Sequence, residues 1–246
     1  MAETAGVAAG SRVPQSSELL PGPGFRVRKD FPRVDPDIVR RFGQLDIALV
    51  SDLMNRLYTL RSGLHPIVEH TEPLLVGTAC TVKVFPGDNL MVHASLDSAG
   101  PGDIVVIDTA GSDANAVLGD MVTNKARARG IAGFIVDGLV RDVDGMREAG
   151  VPVFARGVTP RGPLHRGPGE LNYPISCGGV TIHAGDLVMA GSDGVVVVPQ
   201  ESIDDILERS EARMTVEDAY VAAVKRGEFS NQWVDDMLST HACEVC

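Results

Sequence analysis

Residues 111–142 read GSDANAVLGDMVTNKARARGIAGFIVDGLVRD, and this stretch predicts both a helix–strand unit and a group of charged residues at its ends. From Ala114 to Ala126 its apolar residues recur at three- and four-residue intervals, and Gly130 follows, which predicts an amphipathic helix of about four turns. Residues 133–137 then form a short apolar run that is typical of a buried strand. The sequence therefore predicts a helix that leads directly back into a strand.

The two ends of this helix–strand unit carry charged residues with 20 residues between them, Asp120 on one side and Arg141-Asp142 on the other. A helix of about ten residues rises roughly 15 Å, and the returning strand covers a similar distance, so we expect the three side chains to meet. The N–H groups at the helix start, residues 115–119, together with the helix dipole favour a bound carboxylate. An ordinary surface turn beside an ordinary helix charge would explain the same spacing.

Two carboxylates, one guanidinium and several backbone donors in one place suit a divalent cation that bridges an anionic oxo acid. Oxygen ligands favour magnesium or manganese, and magnesium usually takes only one or two protein carboxylates. If the surface-turn interpretation is set aside, the spacing therefore predicts a Mg²⁺ or Mn²⁺ site.

Outside this unit, short strands and helices mix. The predicted helices lie near the start of the domain from residue 35, at 91–98 and at 203–225; the predicted strands lie within 74–85 and at 104–108, 133–137, 151–154, 179–182, 186–189 and 194–198. Several short strands follow one another directly, which argues against a strictly alternating parallel sheet. We predict an α/β fold, a layered β/β/α sandwich of the swivelling-domain type with N-terminal helices and a C-terminal helix.

The chain divides by composition into an arm, a domain and a tail. Residues 1–24 are rich in Ala, Gly, Ser and Pro and predict a flexible arm. We expect one domain over 25–230 and a C-terminal tail over 231–246.

The charge of the chain excludes two classes of partner. Lys and Arg number 22 against 33 Asp and Glu, a net charge of −11, which repels phosphate backbones and anionic lipid. We therefore expect neither nucleic acid nor a membrane as a partner. No secretory signal is recognisable at the N-terminus, which predicts a cytoplasmic protein.

Other common catalytic patterns are missing from the sequence. Its glycines form neither a dinucleotide-binding fingerprint nor a nucleotide triphosphate loop. Five histidines are scattered, with no pair at helical spacing for a metal cluster, and we expect them to be structural or solvated: His65, His70, His93, His165 and His183.

Residues 111–142 resemble the signature of the class II pyruvate aldolases that cleave 4-hydroxy-4-methyl-2-oxoglutarate and 4-carboxy-4-hydroxy-2-oxoadipate, a family that shares its fold with the regulator of ribonuclease activity A proteins. The Gly-Asp-x20-Arg-Asp element is the specific part, and the resemblance extends over about residues 35–230. Two features depart from the family: Gly191 stands where an acidic residue is frequent, and the tail after Glu228 is unfamiliar.

The resemblance implies a role for each residue of the element. Asp142 would ligate the metal directly, Asp120 would hold it through a water molecule, and Arg141 would neutralise the enolate oxygen. Backbone amides near Leu118 and Gly119 would bind the pyruvyl carboxylate of the substrate.

The resemblance also implies an assembly and a reaction. An acidic residue on the last helix of a neighbouring subunit, for which Glu217 is the candidate, would complete each site in a homotrimer or a dimer of trimers. The implied enzyme is a carbon–carbon lyase of aromatic catabolism that uses Mg²⁺ or Mn²⁺ to cleave a 4-hydroxy-2-oxo di- or tricarboxylic acid to pyruvate and a second oxo acid, and that also decarboxylates oxaloacetate. The alternative is a non-catalytic protein-binding module like the ribonuclease regulators, which has no physical need for Asp120, Arg141 and Asp142 together.

Overall fold

A mixed β-sheet forms the centre of the computed structural model, which describes residues 19–61, 63–69 and 74–244. The strands are β1 (Phe25–Val27), β2 (His65–Val68), β3 (Leu75–Val84), β4 (Asp103–Asp108), β5 (Ala116–Leu118), β6 (Gly133–Val140), β7 (Val153–Val158), β8 (Gly169–Leu171), β9 (Ile175–Cys177), β10 (Val180–Ile182), β11 (Leu187–Gly191) and β12 (Gly194–Val198). The helices are α1 (Pro36–Phe42), α2 (Ile47–Leu53), α3 (Leu90–Ser95), α4 (Asp120–Ala128), α5 (Val143–Ala149), α6 (Ile203–Lys225) and α7 (Gln232–Thr240).

The main sheet has parallel strands in its middle and antiparallel strands around them. Its order is β1-β8-β3-β4-β6-β7-β2, with β11 and β12 added beside β3 and β5 added beside β6. Neighbours in the run β3-β4-β6-β7 are parallel, and α3, α4 and α5 connect them in turn. The strands β9 and β10 form a separate antiparallel hairpin.

The two faces of the sheet are covered differently, which makes the architecture layered. Along β4, Val105 and Ile107 belong to the apolar core shared with α3, α4 and α5, whereas Ile104 and Val106 belong to the core shared with the β9–β10 hairpin. Because both faces of the strand are buried, its sequence reads as a continuous apolar run. A third core joins α1, α2 and α6 to β11 and β12. The predicted layered α/β fold is confirmed.

The predicted helix from Ala114 is wrong in its first half. Ala116–Leu118 is the strand β5, which pairs in parallel with the end of β6, and α4 begins only at Asp120. Val117 and Leu118 fit the apolar pattern of a helix and that of a buried strand equally well, and the pairing with β6 decides between them. Gly119 then has an extended backbone, with φ −155° and ψ −169°, which separates the strand from the helix.

The C-terminal part agrees with the prediction as far as Lys225 and then adds an element. The long helix over 203–225 is confirmed as α6, and a further helix, α7, lies in the segment that the sequence analysis treats as a tail. Residues 1–18 of the predicted arm lie outside the described residues. Among the helices of the described part of the chain, none is long and apolar enough to cross a bilayer.

Candidate active site

The register between β5 and β6 brings the charged element together. Leu118 pairs with Val140, and the N–H of Arg141 donates to the carbonyl of Leu118 over 3.0 Å. The two chains leave these strands side by side, one into α4 at Asp120 and the other into α5 after Asp142. The site therefore lies at the carboxyl ends of parallel strands, where open α/β sheets commonly bind ligands.

A cavity of about 120 Å³ lies at this point. Its lining includes all the residues that the sequence predicts for the site except Glu217, together with a second group from α3, its N-cap and the loop before β8. The lining residues are Asn89, His93, Leu118, Gly119, Asp120, Met121, Val122, Arg141, Asp142, Pro163 and His165.

Gly119 allows the two loops of the site to approach each other closely. A Cβ atom at this position would lie 2.7 Å from Oδ2 of Asp142, which is closer than real Cβ contacts. Gly119 is also the N-cap of α4 and has no side chain to bond the first N–H groups of the helix. The free N–H groups at the helix start are therefore those of Asp120 and Met121, not those of residues 115–119 as predicted, because 116–118 form a strand and the N–H of Val122 donates to Gly119. Such N–H groups can bind a carboxylate in the cavity.

Asp142 occupies an unusual backbone position that leaves its carboxylate available. Its φ of 57° and ψ of 44° lie in the left-handed region, which non-glycine residues seldom adopt. Although Asp142 is the N-cap of α5, its side chain does not cap the helix. One carboxylate oxygen instead lies 3.1 Å from Nε of Arg141, and the side chain is 42% exposed.

Asp120 and Arg141 each pack against a glycine of a neighbouring segment. A Cβ on Gly145 of α5 would lie 2.7 Å from Cβ of Asp120 and 3.0 Å from its Oδ2. A Cβ on Gly162 would lie 2.5 Å from Nη1 of Arg141. A side chain at Gly145 or Gly162 would therefore displace Asp120 or Arg141, respectively.

The loop that contains Gly162 is fixed to the site by hydrogen bonds. The N–H of Ala116 donates to the carbonyl of Arg161 over 2.9 Å, and Nδ2 of Asn115 donates to the carbonyl of Gly162 over 2.6 Å. On its other side, the N–H of Arg166 donates to Oδ2 of Asp88 over 2.6 Å. These bonds hold Pro163 and His165 against the cavity.

The structure places two histidines in the cavity that the sequence analysis treated as structural or solvated. Nδ1 of His165 lies 2.6 Å from Oδ1 of Asn89, and Nδ2 of Asn89 lies 3.5 Å from Nε2 of His93. The signal in the sequence is the i, i+4 pair of polar residues formed by Asn89, the N-cap of α3, and His93 within the helix. His165 carries no comparable local signal, and His70 lies outside the described residues.

Burial lowers the pKa of His93, and the positive charges of Lys125 and His165 lower it further. A neutral His93 can accept a hydrogen bond from Asn89 at Nε2 and carry its proton at Nδ1. Because Asn89 contacts Nε2 of His93 and Nδ1 of His165, the nitrogens left to bind a ligand are Nδ1 of His93 and Nε2 of His165.

Glu217 does not lie at this cavity. It lies on α6, and its carboxylate accepts a hydrogen bond of 3.0 Å from Nε of Arg213 one turn earlier. Within one chain, the structure brings together Leu118, Gly119, Asp120, Arg141 and Asp142 and leaves Glu217 apart.

The donor set fits a magnesium-type ion. Asp120 and Asp142 line the same cavity, and Asp142 is partly exposed and free of a capping role. Mg²⁺ takes one or two protein carboxylates and keeps several waters. Over 19–61, 63–69 and 74–244 no group of three or more His, Cys, Asp or Glu side chains could enclose an ion.

Comparisons with known proteins agree with this architecture. A protein of Halalkalibacterium halodurans named as a candidate 4-hydroxy-4-methyl-2-oxoglutarate aldolase is 37% identical over 188 residues, which cover 76% of this chain and 89% of the relative. A protein of Hahella chejuensis with the same name is 43% identical over 124 residues, which cover 50% of this chain and 75% of the relative.

Among solved structures, RraAS2 of Streptomyces coelicolor, described as an unusual member of the RNase ES inhibitor RraA family, superposes with a TM-score of 0.71. It is 29% identical, and the match covers 78% of this chain and 98% of that one. The sequence model of the RraA-like family, described as Aldolase/RraA, matches residues 47–197, more than half of the chain. With the fold, the sequence and this match in agreement, the protein belongs to the RraA-like family.

Proposed function

We propose that the protein is a divalent-metal-dependent aldolase that cleaves a 4-hydroxy-2-oxo di- or tricarboxylic acid to pyruvate and a second oxo acid. The observation that carries this proposal is that Asp120, Arg141 and Asp142 line one and the same cavity, beside a helix N-terminus without a side-chain cap. The names of the relatives support it.

The pyruvyl half of the substrate is assigned to the wall formed by α4 and Arg141. Its carboxylate would accept hydrogen bonds from the first N–H groups of α4, next to Leu118 and Gly119, where no side chain competes. Arg141 would place a fixed positive charge at the oxygen that becomes negative when the C3–C4 bond breaks.

Asp142, with Asp120 beside it, would hold the divalent cation. When bound, Mg²⁺ or Mn²⁺ would supply Lewis-acid stabilisation of the substrate's carboxylate and keto oxygens. The chain's own charges suit this role, because Asp120 and Asp142 line the same cavity as Arg141, whose Nε lies 3.1 Å from Oδ2 of Asp142.

Asp120 is assigned the proton transfer. Its carboxylate would orient a water that takes the proton from the C4 hydroxyl while the C3–C4 electron pair becomes the enolate of pyruvate. Decarboxylation of oxaloacetate yields the same enolate but requires no such base. Asp120→Asn should therefore reduce aldol cleavage more than oxaloacetate decarboxylation, and equal losses would show that Asp120 serves binding only.

The primary test is pyruvate release from 4-hydroxy-4-methyl-2-oxoglutarate and from oxaloacetate, with a coupled dehydrogenase assay. We expect both reactions in the presence of Mg²⁺ or Mn²⁺, loss of both with EDTA, and recovery when the cation is restored. Full turnover by chelator-treated protein would contradict the metal-dependent mechanism, and absence of both reactions with every cation tested would contradict the aldolase itself.

A ribonuclease-binding module is the second candidate, because structural relatives such as RraAS2 are described as members of a ribonuclease inhibitor family. The same assay separates the two functions. A binding module would release no pyruvate and would retain partner binding in the Asp142→Ala variant, whereas the aldolase would lose turnover in that variant.

A further inference from the structure

The cavity has a second wall that the proposed chemistry does not use. The pyruvyl-binding residues come from β5, α4 and the end of β6, whereas Asn89, His93, Pro163 and His165 come from α3 and the loop before β8. A substrate whose C1–C3 portion lies against the first wall must direct the rest of its carbon chain toward another part of the cavity. The second wall offers that carbon chain the hydrogen-bonding side chains of Asn89, His93 and His165.

Asn89 organises this wall from a buried position. Its residue is 3% exposed, and its backbone N–H donates to the carbonyl of Leu164 over 3.0 Å, which fixes the α3 terminus to the loop. Its side-chain oxygen and nitrogen face His165 and His93, respectively. The amide side chain is not used to cap α3, so its visible hydrogen-bonding role is to orient the two imidazoles.

The hydrogen-bond pattern defines what the wall can recognise. Because Nε2 of His93 accepts from Asn89, its proton lies on Nδ1, which can donate to a ligand. His165 donates from Nδ1 to Asn89 and can donate from Nε2 in its imidazolium form. The ring centroids lie 5.9 Å apart with an interplanar angle of 62°, so the two imidazoles are adjacent but face different directions.

We propose that His93 and His165, positioned by Asn89, bind the carboxylate at the far end of the substrate and determine the preference for dicarboxylic over monocarboxylic 4-hydroxy-2-oxo acids. This inference rests on the proposed aldolase function. His93 and His165 are assigned specificity, and Asn89 is assigned a positioning role.

The test compares two substrates that differ only at the far end, 4-hydroxy-2-oxoglutarate with a carboxylate and 4-hydroxy-2-oxopentanoate with a methyl group. For the wild type we expect a higher kcat/KM for the dicarboxylate. His165→Gln should lower the ratio of the two kcat/KM values, dicarboxylate over methyl substrate, by about 10- to 100-fold, the range for loss of one hydrogen bond to a charged group. The change should arise mainly from a higher KM for the dicarboxylate. The kcat/KM for the methyl substrate should fall far less than that for the dicarboxylate, and the Mg²⁺ concentration for half-activation should change little.

Asn89→Ala should reduce the same ratio by removing the alignment of both rings, and His93→Gln provides an independent variant. His65→Gln is the matched control, because His65 is exposed on β2 and does not line the cavity. The thermal unfolding temperature of each variant shows whether it is folded. Because His165 is exposed, its replacement should not leave a cavity in the core.

Three outcomes would overturn the inference in distinguishable ways. Equal kcat/KM for the two substrates in the wild type would refute recognition of the far carboxylate while leaving the aldolase intact. Equal losses on both substrates in His165→Gln would place His165 in the common chemistry or in metal binding. No cleavage of either substrate would overturn the proposed function and this inference together.

Discussion

At the scale of single residues, the site depends on glycines as much as on charged groups. Asp120, Arg141 and Asp142 supply the chemistry, but each lies against a glycine position where an added Cβ would come within 3.0 Å: Gly145, Gly162 and Gly119, respectively. A displacement of about 1 Å at a reacting group can cost roughly 100-fold in rate. These glycines are therefore expected to affect activity more than stability.

Gly119→Ala tests this expectation. Its φ of −155° suits any residue, but the new Cβ would press on Oδ2 of Asp142 at 2.7 Å. We expect a loss of about 10-fold or more in kcat/KM with a melting temperature changed by only about a few degrees. Gly157→Ala is the matched control, since its Cβ would meet Leu139 at an ordinary 3.4 Å. Wild-type activity in Gly119→Ala would show that the close approach is unimportant.

Arg141→Lys keeps the positive charge but removes the planar fork of the guanidinium. The lost donor should reduce kcat by about 10²–10³-fold, the range for one oxyanion-stabilising group, while the affinity for Mn²⁺ changes little. Steady-state kinetics and Mn²⁺ titration measure the two effects separately. Arg147→Lys on α5, where the side chain is 62% exposed, serves as the control. A purely KM-based loss would assign Arg141 to substrate binding alone.

At the scale of elements, the short strand β1 is attached to the main sheet through its neighbour β8. The strand β1 pairs with β8, which lies beside β3 at the edge of the sheet. Glu170 of β8 accepts hydrogen bonds from the N–H of Gly24 over 2.8 Å and from Nε of Arg26 over 2.6 Å. One carboxylate therefore holds the N-terminal strand in place.

The attachment of β1 should depend on pH. Burial by itself would raise the pKa of Glu170, but the bonds from Gly24 and Arg26 outweigh burial and lower the pKa below its ordinary value of 4.5. A lowered carboxyl pKa stabilises the folded state above that ordinary value, and the contribution is lost as the pH falls through the folded pKa.

Hydrogen exchange, corrected for intrinsic rates, should show β1 protected at pH 6 and losing protection relative to β4 as the pH falls below about 4.5. Glu170→Gln should weaken β1 already at pH 6 and remove most of the pH dependence. Glu228→Gln, which removes an exposed pair with Arg226, is the control. Equal protection of β1 relative to β4 at both pH values in the wild type would contradict the assignment.

At the scale of the whole molecule, the C-terminal helices present an apolar surface that one chain leaves exposed. The second half of α6, the turn after it and α7 carry large apolar side chains that are at least 40% exposed: Val216, Tyr220, Val221, Val224, Phe229, Trp233, Met237 and Leu238. Patches of this kind usually mark contacts with another protein. We propose that they contact further copies of the chain in a homotrimer or a dimer of trimers, in which Glu217 would belong to a neighbour's site.

Light scattering should therefore give a mass about three or six times 26.0 kDa. Replacing both Trp233 and Met237 with Asp should shift the mass toward one subunit and reduce activity, whereas Asp235→Asn and Asp236→Asn on the same helix should leave it unchanged. A wild-type mass of one subunit, with full activity, would contradict both the assembly and the role of Glu217.

The layered α/β class, the long helix α6 and the proximity of Asp120 to Arg141 and Asp142 could all be predicted from the sequence. These follow from local periodicity and from chain lengths, because a helix and a strand of known rise fix where their ends lie. That Ala116–Leu118 is a strand could not be predicted, because its short apolar run fits both the helical and the strand periodicity. The pairing with β6 in the folded chain determines that it is a strand. The tertiary structure also decided that His93 and His165 share the cavity, since residues 72 positions apart come together only through the packing of α3 against the loop before β8.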